Sequence, residues 1–288
     1  MSKPKILLII PRGEAVRNFI YSETIDELSK SSEVSILSVI DKSFYPERKQ
    51  KLVQEFYDLP ECNESKIISI LRLIIHWAHF RNQWTITAKN HWDIHNARAT
   101  SIIQKVKREI VKVLAILFSS HRSLHILTKL ENYLTWILRP KNIFEDIYKK
   151  LRPDFVFNCS HIHGKRGELP ITIAKFMGFK TGCFIFSWDN LTTRSRIFPP
   201  YDYYFVWHKK MNLQLLSIYP YIRKSQVIVT GTPQFDFHFD HKYKLSKIEL
   251  FKKLKISLDR PIILYTTSMA SHFPEEHLIL HRLIEYVR

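Results

Sequence analysis

The chain has 288 residues, of which 45% are hydrophobic and 25% charged, and this composition excludes global intrinsic disorder. Its formal net charge of +17 favours anionic partners, such as nucleic acid, anionic lipid headgroups or phosphate-bearing substrates. Three cysteines, Cys62, Cys159 and Cys183, have no CxxC spacing, so neither a zinc site nor a disulfide framework is predicted.

Short apolar runs alternate with helical segments of about ten residues, which is typical of a doubly wound α/β protein. The predicted strands are residues 6–10, 34–40, 155–160, 181–187, 203–207 and 226–230. Helices are predicted at 15–29, 142–151, 168–177 and 209–218, and Gly178 is predicted to end the third of these. The pattern predicts a Rossmann-like fold in which the six strands form one mainly parallel sheet.

Residues 44–140 interrupt this alternation with helical segments at 64–81, 97–118 and 122–139, rich in both apolar and basic side chains. Two interpretations stay open: a helical layer with a solvated polar face, or a surface that lies on anionic lipid. The longest apolar stretch, residues 67–80, falls short of the roughly 20 residues that a membrane span requires. We therefore expect a cytoplasmic protein, peripheral at most on the inner face of the cell membrane.

The pattern changes after residue 237. Residues 238–244 are polar and are predicted to be a linker, and residues 245–288 contain a predicted helix, a strand at 262–266 and a last helix at 274–287. Such a segment is the first βα unit of a second Rossmann-like domain. Because a domain needs about 100 residues or more, we expect this second domain to be truncated.

Loops at the carboxyl ends of the predicted strands are the candidate site, because ligands of doubly wound sheets bind there. The candidate substrate-binding residues in these loops are Arg12, Gly13, Glu14, Lys165, Arg166, Trp188, Asn190, Gly231 and Thr232, with Thr267 and Ser268 in the second domain. The basic, glycine-containing loop before the helix at 168–177 suits a phosphate or carboxylate. No GxGxxG, GxxxxGK[ST] or HExxH motif is present, so no dinucleotide cofactor and no metal are predicted.

Three side chains are candidates for acid–base chemistry: His161, His163 and Asp189. For the two histidines three roles stay open, namely metal ligand, general base for a hydroxyl group, and structural loop residue. Asp189 and Asn190 suit either contact with sugar hydroxyls or the cap of a short helix. Since parallel strands end at one edge of a sheet, these three side chains and Thr232 are expected to share a cleft that faces the second domain.

Four motifs, in this order, resemble the N-terminal-domain core of GT-B fold glycosyltransferases, closest to bacterial surface-polysaccharide and CDP-glycerol-transferase-like proteins. They are RPD from Arg152 onward, FSWDNLTTR, YDYYFVWH and VIVTGTPQFD. A later run, RPIILYTTS, resembles the first strand and loop of the nucleotide-binding C-terminal domain. The resemblance covers residues 150–270 and, by architecture only, residues 1–40, whereas residues 44–140 match no known pattern.

The resemblance implies inverting transfer of a sugar, or of a related activated alcohol phosphate, from a nucleotide donor to a cell-envelope glycan or lipid-linked acceptor. It implies that His161, His163 or Asp189 deprotonates the acceptor hydroxyl and that Thr267 and Ser268 approach the donor phosphates. Most of the family's donor site would lie beyond residue 288, so catalysis by this chain alone is not assured.

Two other functions stay open. A nucleotide-sugar 2-epimerase shares the architecture, but it has little use for a basic, apolar helical insertion. The second is a non-catalytic module that binds anionic lipid or nucleic acid. No RNA-binding aromatic motif, helix-turn-helix or zinc finger is present, so we expect no nucleic acid partner.

Overall fold

A seven-stranded sheet, in which every strand runs parallel to its neighbours, forms the centre of the computed structural model. The structure describes residues 3–162, 165–240, 244–259, 261–268 and 273–287. The strands are β1 (Lys5–Ile10), β2 (Glu33–Ser38), β3 (Val53–Asp58), β4 (Phe155–Asn158), β5 (Lys180–Phe184), β6 (Tyr203–Val206) and β7 (Val227–Val229). Their order in the sheet is β3-β2-β1-β4-β5-β6-β7, which confirms the six predicted strands and their parallel arrangement.

The seventh strand, β3, lies inside the segment predicted to be a helical insertion, so the insertion's long helices begin only at Lys66. Its sequence, VQEFYD, mixes polar and apolar side chains and has no long apolar run. It is an edge strand, paired only with β2, and it is half exposed. Strands are predicted above from continuous apolar runs, so β3 is missing from that prediction.

Helices cover both faces of the sheet, because the central strands are apolar on both sides. In β1, Leu7 and Ile9 pack under α8 (Asn142–Leu151), α9 (Glu168–Phe176) and α11 (Lys209–Ile218). Leu8 and Ile10 face the other side, which is covered by α1 (Gly13–Ala15), a π-helical turn (Val16–Tyr21) and α2 (Thr24–Ser31).

The predicted helix at 15–29 is broken at Ser22. The Ser22 hydroxyl donates to the carbonyl of Asn18 (2.6 Å) and accepts from the amide of Thr24 (3.3 Å). A serine side chain that bonds to nearby backbone in this way competes with helix continuation. The helix that ends at Phe176 is followed by Gly178 in the left-handed region (φ +86°), as predicted.

The insertion is a group of four helices: α4 (Lys66–Gln83), α5 (Ile86–Ala97), α6 (Ile102–Leu117) and α7 (His121–Leu138). A serine or threonine immediately precedes each helix, and its hydroxyl accepts a hydrogen bond from a backbone N–H of the first turn. They share a core of their own, which includes Ile75, Trp77 and Trp92. None of the described helices is long and apolar enough to cross a membrane singly. Helices α6 and α7, which are bent by 116° at the break between them, together have the length and composition of a broken span.

The chain divides into two compact units, Met1–Phe237 and His238–Arg288. The second unit contains α12 (Lys247–Leu254), which begins with a capping box of Ser246 and Glu249, and α13 (Glu276–Val287). The predicted strand at 262–266 is wrong, because residues 261–268 have no regular secondary structure. A strand requires a neighbour for its backbone groups, and the described residues of this unit contain no other strand.

Gly182 in β5 is predicted to be required for packing of the sheet. A Cβ atom at this position would lie 2.5 Å from Cζ of Phe155 and 3.2 Å from Cε2 of Phe205. We expect Gly182→Ala to lower the free energy of unfolding in urea by about 1–3 kcal/mol, the usual cost of overpacking. Gly13→Ala is the control, because its Cβ would meet no atom within 4 Å. Equal stability of the two variants would contradict this packing.

Candidate functional site

A cleft of about 490 Å³ opens beside the carboxyl ends of β4 and β5, between the loops that follow these strands and helices α4 and α5. The sheet side contributes His161, Glu168 and Arg194, and the insertion contributes Arg72, His76 and His91. A concave site with several ionisable groups at this edge of a parallel sheet is the first place to look for ligand binding.

His161 is buried in the wall of this cleft and is held in one orientation. Its ring Nδ1 lies 3.1 Å from the carbonyl oxygen of Phe184, the last residue of β5. A carbonyl can only accept, so Nδ1 is the donor in this contact, and in the neutral ring the lone pair is on Nε2. An imidazole oriented in this way is equipped to accept a proton from a bound hydroxyl group.

Glu168, the first residue of α9, was not among the predicted site residues, yet it lines the same cleft. Its carboxylate is paired with the Arg72 guanidinium, which also contacts Glu64 (2.7 Å) and Glu131 (2.5 Å). Burial raises the pKa of Glu168 to about 7, although Arg72 acts to lower it, and the neighbouring Glu131 raises it further. A carboxyl group with a pKa near neutrality exchanges a proton readily at physiological pH.

Burial disfavours the charged form of two histidines of the insertion, His76 and His79. Burial lowers the pKa of His76 to about 4, and the nearby His91 and His95 lower it further. Burial also lowers the pKa of His79, which lies against Tyr219 beside Arg196. The His76 ring has aromatic surroundings, since it lies in contact with Trp77 and Phe80.

Arg196 is a buried cation that also lines the cleft. Its Nε donates to the hydroxyl of Thr128 (2.7 Å), and its guanidinium lies over the ring of Tyr219. No ion pair joins Arg196 to a carboxylate within the described ranges. With the exposed Arg194 two residues away, it gives this end of the cleft positive charge.

Asp189 immediately precedes a short helix, but its side chain makes no capping hydrogen bond to a backbone N–H. Its backbone carbonyl accepts the amides of Thr192 and Thr193, and its carboxylate accepts the Thr193 hydroxyl (2.9 Å), at the start of the short helix α10 (Asn190–Thr193). Burial acts to raise the pKa of Asp189, but hydrogen bonds from Ser187 and Thr193 outweigh it and lower the pKa. A carboxylate stabilised in this way is a weak base.

Asn190 is likewise engaged in the backbone turn, since its side-chain oxygen accepts the amide of Ser187 (2.8 Å). The adjacent Trp188 is 64% exposed. Although Asp189 and Thr232 follow parallel strands of the same sheet, neither is among the described residues that line the cleft around His161.

The remaining candidates lie at the same edge in other loops. Arg12 pairs with Glu14 (3.1 Å) and Arg166 with Glu61 (2.5 Å), both near the surface. Gly13 begins α1, and Gly231 has a φ of +80°, which favours glycine after β7. His163 and the side chain of Lys165 lie outside the described residues.

In the second unit, Ser268 is engaged locally. Its backbone amide donates to the carboxylate of Glu276 (2.7 Å), the first residue of α13, and the Tyr265 hydroxyl donates to the same carboxylate (3.1 Å). Thr267 immediately precedes this contact. Across the described residues of both units, there is no group of three or more His, Cys, Asp or Glu side chains that could hold a metal ion.

The raised pKa of Glu168 predicts a pH dependence of stability. Between its usual value of 4.5 and about 7 the unfolded chain loses this proton while the folded chain keeps it, so stability is lost as the pH rises through this window. We expect the stability advantage of wild type over Glu168→Gln to shrink by roughly 3 kcal/mol between about pH 4 and pH 8 in urea titrations. Glu47→Gln, at an exposed position of the first unit, is the control. Parallel stability curves for wild type and Glu168→Gln would contradict the raised pKa.

Comparison with known proteins identifies no relative of this chain. No protein-family model matches the sequence, and no curated protein shows significant similarity to it.

Proposed function

We propose that this chain is a glycosyltransferase-like protein, in which the first unit binds a glycan or lipid-linked acceptor of the cell envelope in the cleft around His161. The observation that carries the proposal is a buried imidazole, oriented by the carbonyl of Phe184, beside the carboxyl ends of two parallel strands. The resemblance of residues 150–270 to GT-B enzymes supplies the reaction class. The donor is a nucleotide-activated sugar or related alcohol phosphate, and no further cofactor is needed.

In this proposal Nε2 of His161 takes the proton of the acceptor hydroxyl as its oxygen attacks the anomeric carbon of the donor sugar. The bond from that carbon to the donor phosphate breaks, the configuration inverts, and the nucleotide leaves with both electrons. Proton removal by a positioned base is worth roughly 100-fold to 10,000-fold in rate. A positive end of the cleft, at Arg194 and Arg196, suits acceptors or leaving groups that carry negative charge.

Glu168, which lines the same cleft, supports this chemistry. With a pKa near 7 it exchanges protons at neutral pH, and its contact with Arg72 fixes its position in the cleft. In the transfer reaction we assign it the positioning of the acceptor through hydrogen bonds to a sugar hydroxyl. The candidate donor contacts stay Thr267 and Ser268, from the resemblance alone.

Replacement of His161 is the direct test. The chain is incubated with a panel of nucleotide-activated sugars and of glycerol-type donors, together with envelope glycans, and the released nucleotide is measured. We expect His161→Gln to lower turnover by about 100-fold or more while glycan binding is retained. His121→Gln, at an exposed position of the insertion, is the matched control.

Near-normal turnover by His161→Gln would contradict its role as base. Absence of both nucleotide release and glycan binding by wild type would contradict the function itself. Conversion of the free nucleotide sugar to its epimer, without transfer, would favour the 2-epimerase instead.

A further inference from the structure

Helix α6 is fixed to the insertion by only one of its sides. On that side Ala115 is buried, Val111 packs against the core of the insertion, and Nη1 of Arg108 donates to the carbonyl of Asn96 (2.7 Å). These residues fall on one side of a helix with 3.6 residues per turn. The side chains on the opposite side of α6 therefore point away from the insertion.

The outward side of α6 is apolar, which reverses the usual pattern of a surface helix. It consists of a row of aliphatic side chains that recur at helical spacing: Ile102, Ile103, Val106, Ile110, Val113 and Leu117. Their exposed fractions range from 53% to 79%, so no described part of the chain covers them. A contiguous exposed apolar row of this kind marks a surface that binds a partner or a membrane.

Lysines border this row on both sides. At 100° per residue, Lys107 lies about a quarter of a turn to one side of the row, and Lys105 lies slightly further to the other. Lys112 follows on the same border as Lys105, together with Glu109, with which it pairs (3.5 Å). All three lysines are exposed. Long aliphatic stems allow such lysines to lie along an apolar surface while their ammonium groups reach a layer of negative charge.

We propose that α6 lies flat in the surface of an anionic lipid membrane, with its aliphatic row among the acyl chains and its lysines at the phosphate level. The formal net charge of +17 favours the same partner. This docking surface does not depend on the transfer reaction proposed above, although it would hold the cleft near a lipid-linked acceptor.

A second copy of the chain suits this surface less well than a membrane does. In a symmetric dimer through α6, the same patch meets itself, so the lysine borders of the two helices would face each other and repel. Helix α7 has its own exposed apolar row, which includes Ile126, Leu130 and Ile137, but its basic residues, Arg122 and Lys129, lie on one side only. The two-sided border singles out α6.

Vesicle co-sedimentation of the full chain tests the proposal. The vesicles are phosphatidylcholine alone, or phosphatidylcholine with phosphatidylglycerol at about 3:1, each with and without about 0.5 M salt. We expect binding to the anionic vesicles at low salt, at least tenfold weaker binding to the neutral ones, and release by salt. Val106→Asp with Ile110→Asp should lower the affinity at least tenfold. Both side chains are exposed, so these substitutions should leave the fold intact.

Two controls match these changes. Leu213→Asp places one negative charge, half of that in the α6 double variant, at an exposed apolar position of α11. Lys209→Gln with Lys210→Gln removes the same charge from α11 as Lys105→Gln with Lys107→Gln removes from α6. Only the α6 variants should weaken binding, with the two lysine changes acting on anionic vesicles alone.

Several results would overturn the proposal. One is equal binding to neutral and anionic vesicles, or none. Another is loss of binding in the Lys209 and Lys210 variant as large as in the α6 lysine variant, which would show dependence on net charge only. A third is a concentration-dependent dimer in sedimentation that Val106→Asp with Ile110→Asp abolishes, which would assign the surface to a second copy.

Discussion

One guanidinium group connects the helical insertion to the sheet. Arg72 of α4 contacts Glu131, 59 positions further along the chain in α7, and Glu168, 96 positions further at the start of α9. Glu64, just before α4, contacts it as well. Removal of the cation from this largely buried group leaves its carboxylates without a counter-ion, which typically costs about 3–5 kcal/mol. Substitution of Arg72 should therefore loosen the contact between insertion and sheet as well as change the cleft.

The same group gives the cleft its acid–base character. Three carboxylates surround one arginine, so the negative charges exceed the positive one, and burial makes the ionised state of Glu168 more costly. His161 reaches the same cleft from the sheet, where the carbonyl of Phe184 orients its ring. An arginine contact that serves the fold therefore also holds a titratable carboxyl group in the same cleft as an oriented imidazole.

Local sequence patterns predicted those parts of the fold that depend on local physics. Continuous apolar runs identified the buried strands, and Gly178 identified a left-handed helix end. The half-exposed edge strand β3 and the polar helix α5 have no such runs, and the break at Ser22 depends on hydrogen bonds of one hydroxyl group. The apolar run at 262–266 has the composition of a strand, but a strand also requires a neighbour.

The candidate site was predictable only where it follows the strands. His161 directly follows the predicted strand at 155–160 and lies three residues after the end of β4, so the strand pattern was sufficient to select it. The contributions of Arg72 and His76 depend on how α4 packs against α7, which in turn packs against α9. No sequence pattern within α4 indicates that packing. Glu168 looks in sequence like an ordinary acidic residue in the first turn of a helix.

The proposed function requires that the cleft around His161 binds a hydroxyl-bearing glycan. Long-range nitrogen–proton NMR spectra of the chain labelled at histidine report ring tautomers and ligand contacts together. We expect the His161 ring to be protonated at Nδ1. We also expect the signals of His161, His76 and His91 to move together as envelope oligosaccharides are added. A His161 ring protonated at Nε2, or oligosaccharide binding that leaves these three signals unchanged, would contradict the proposed function.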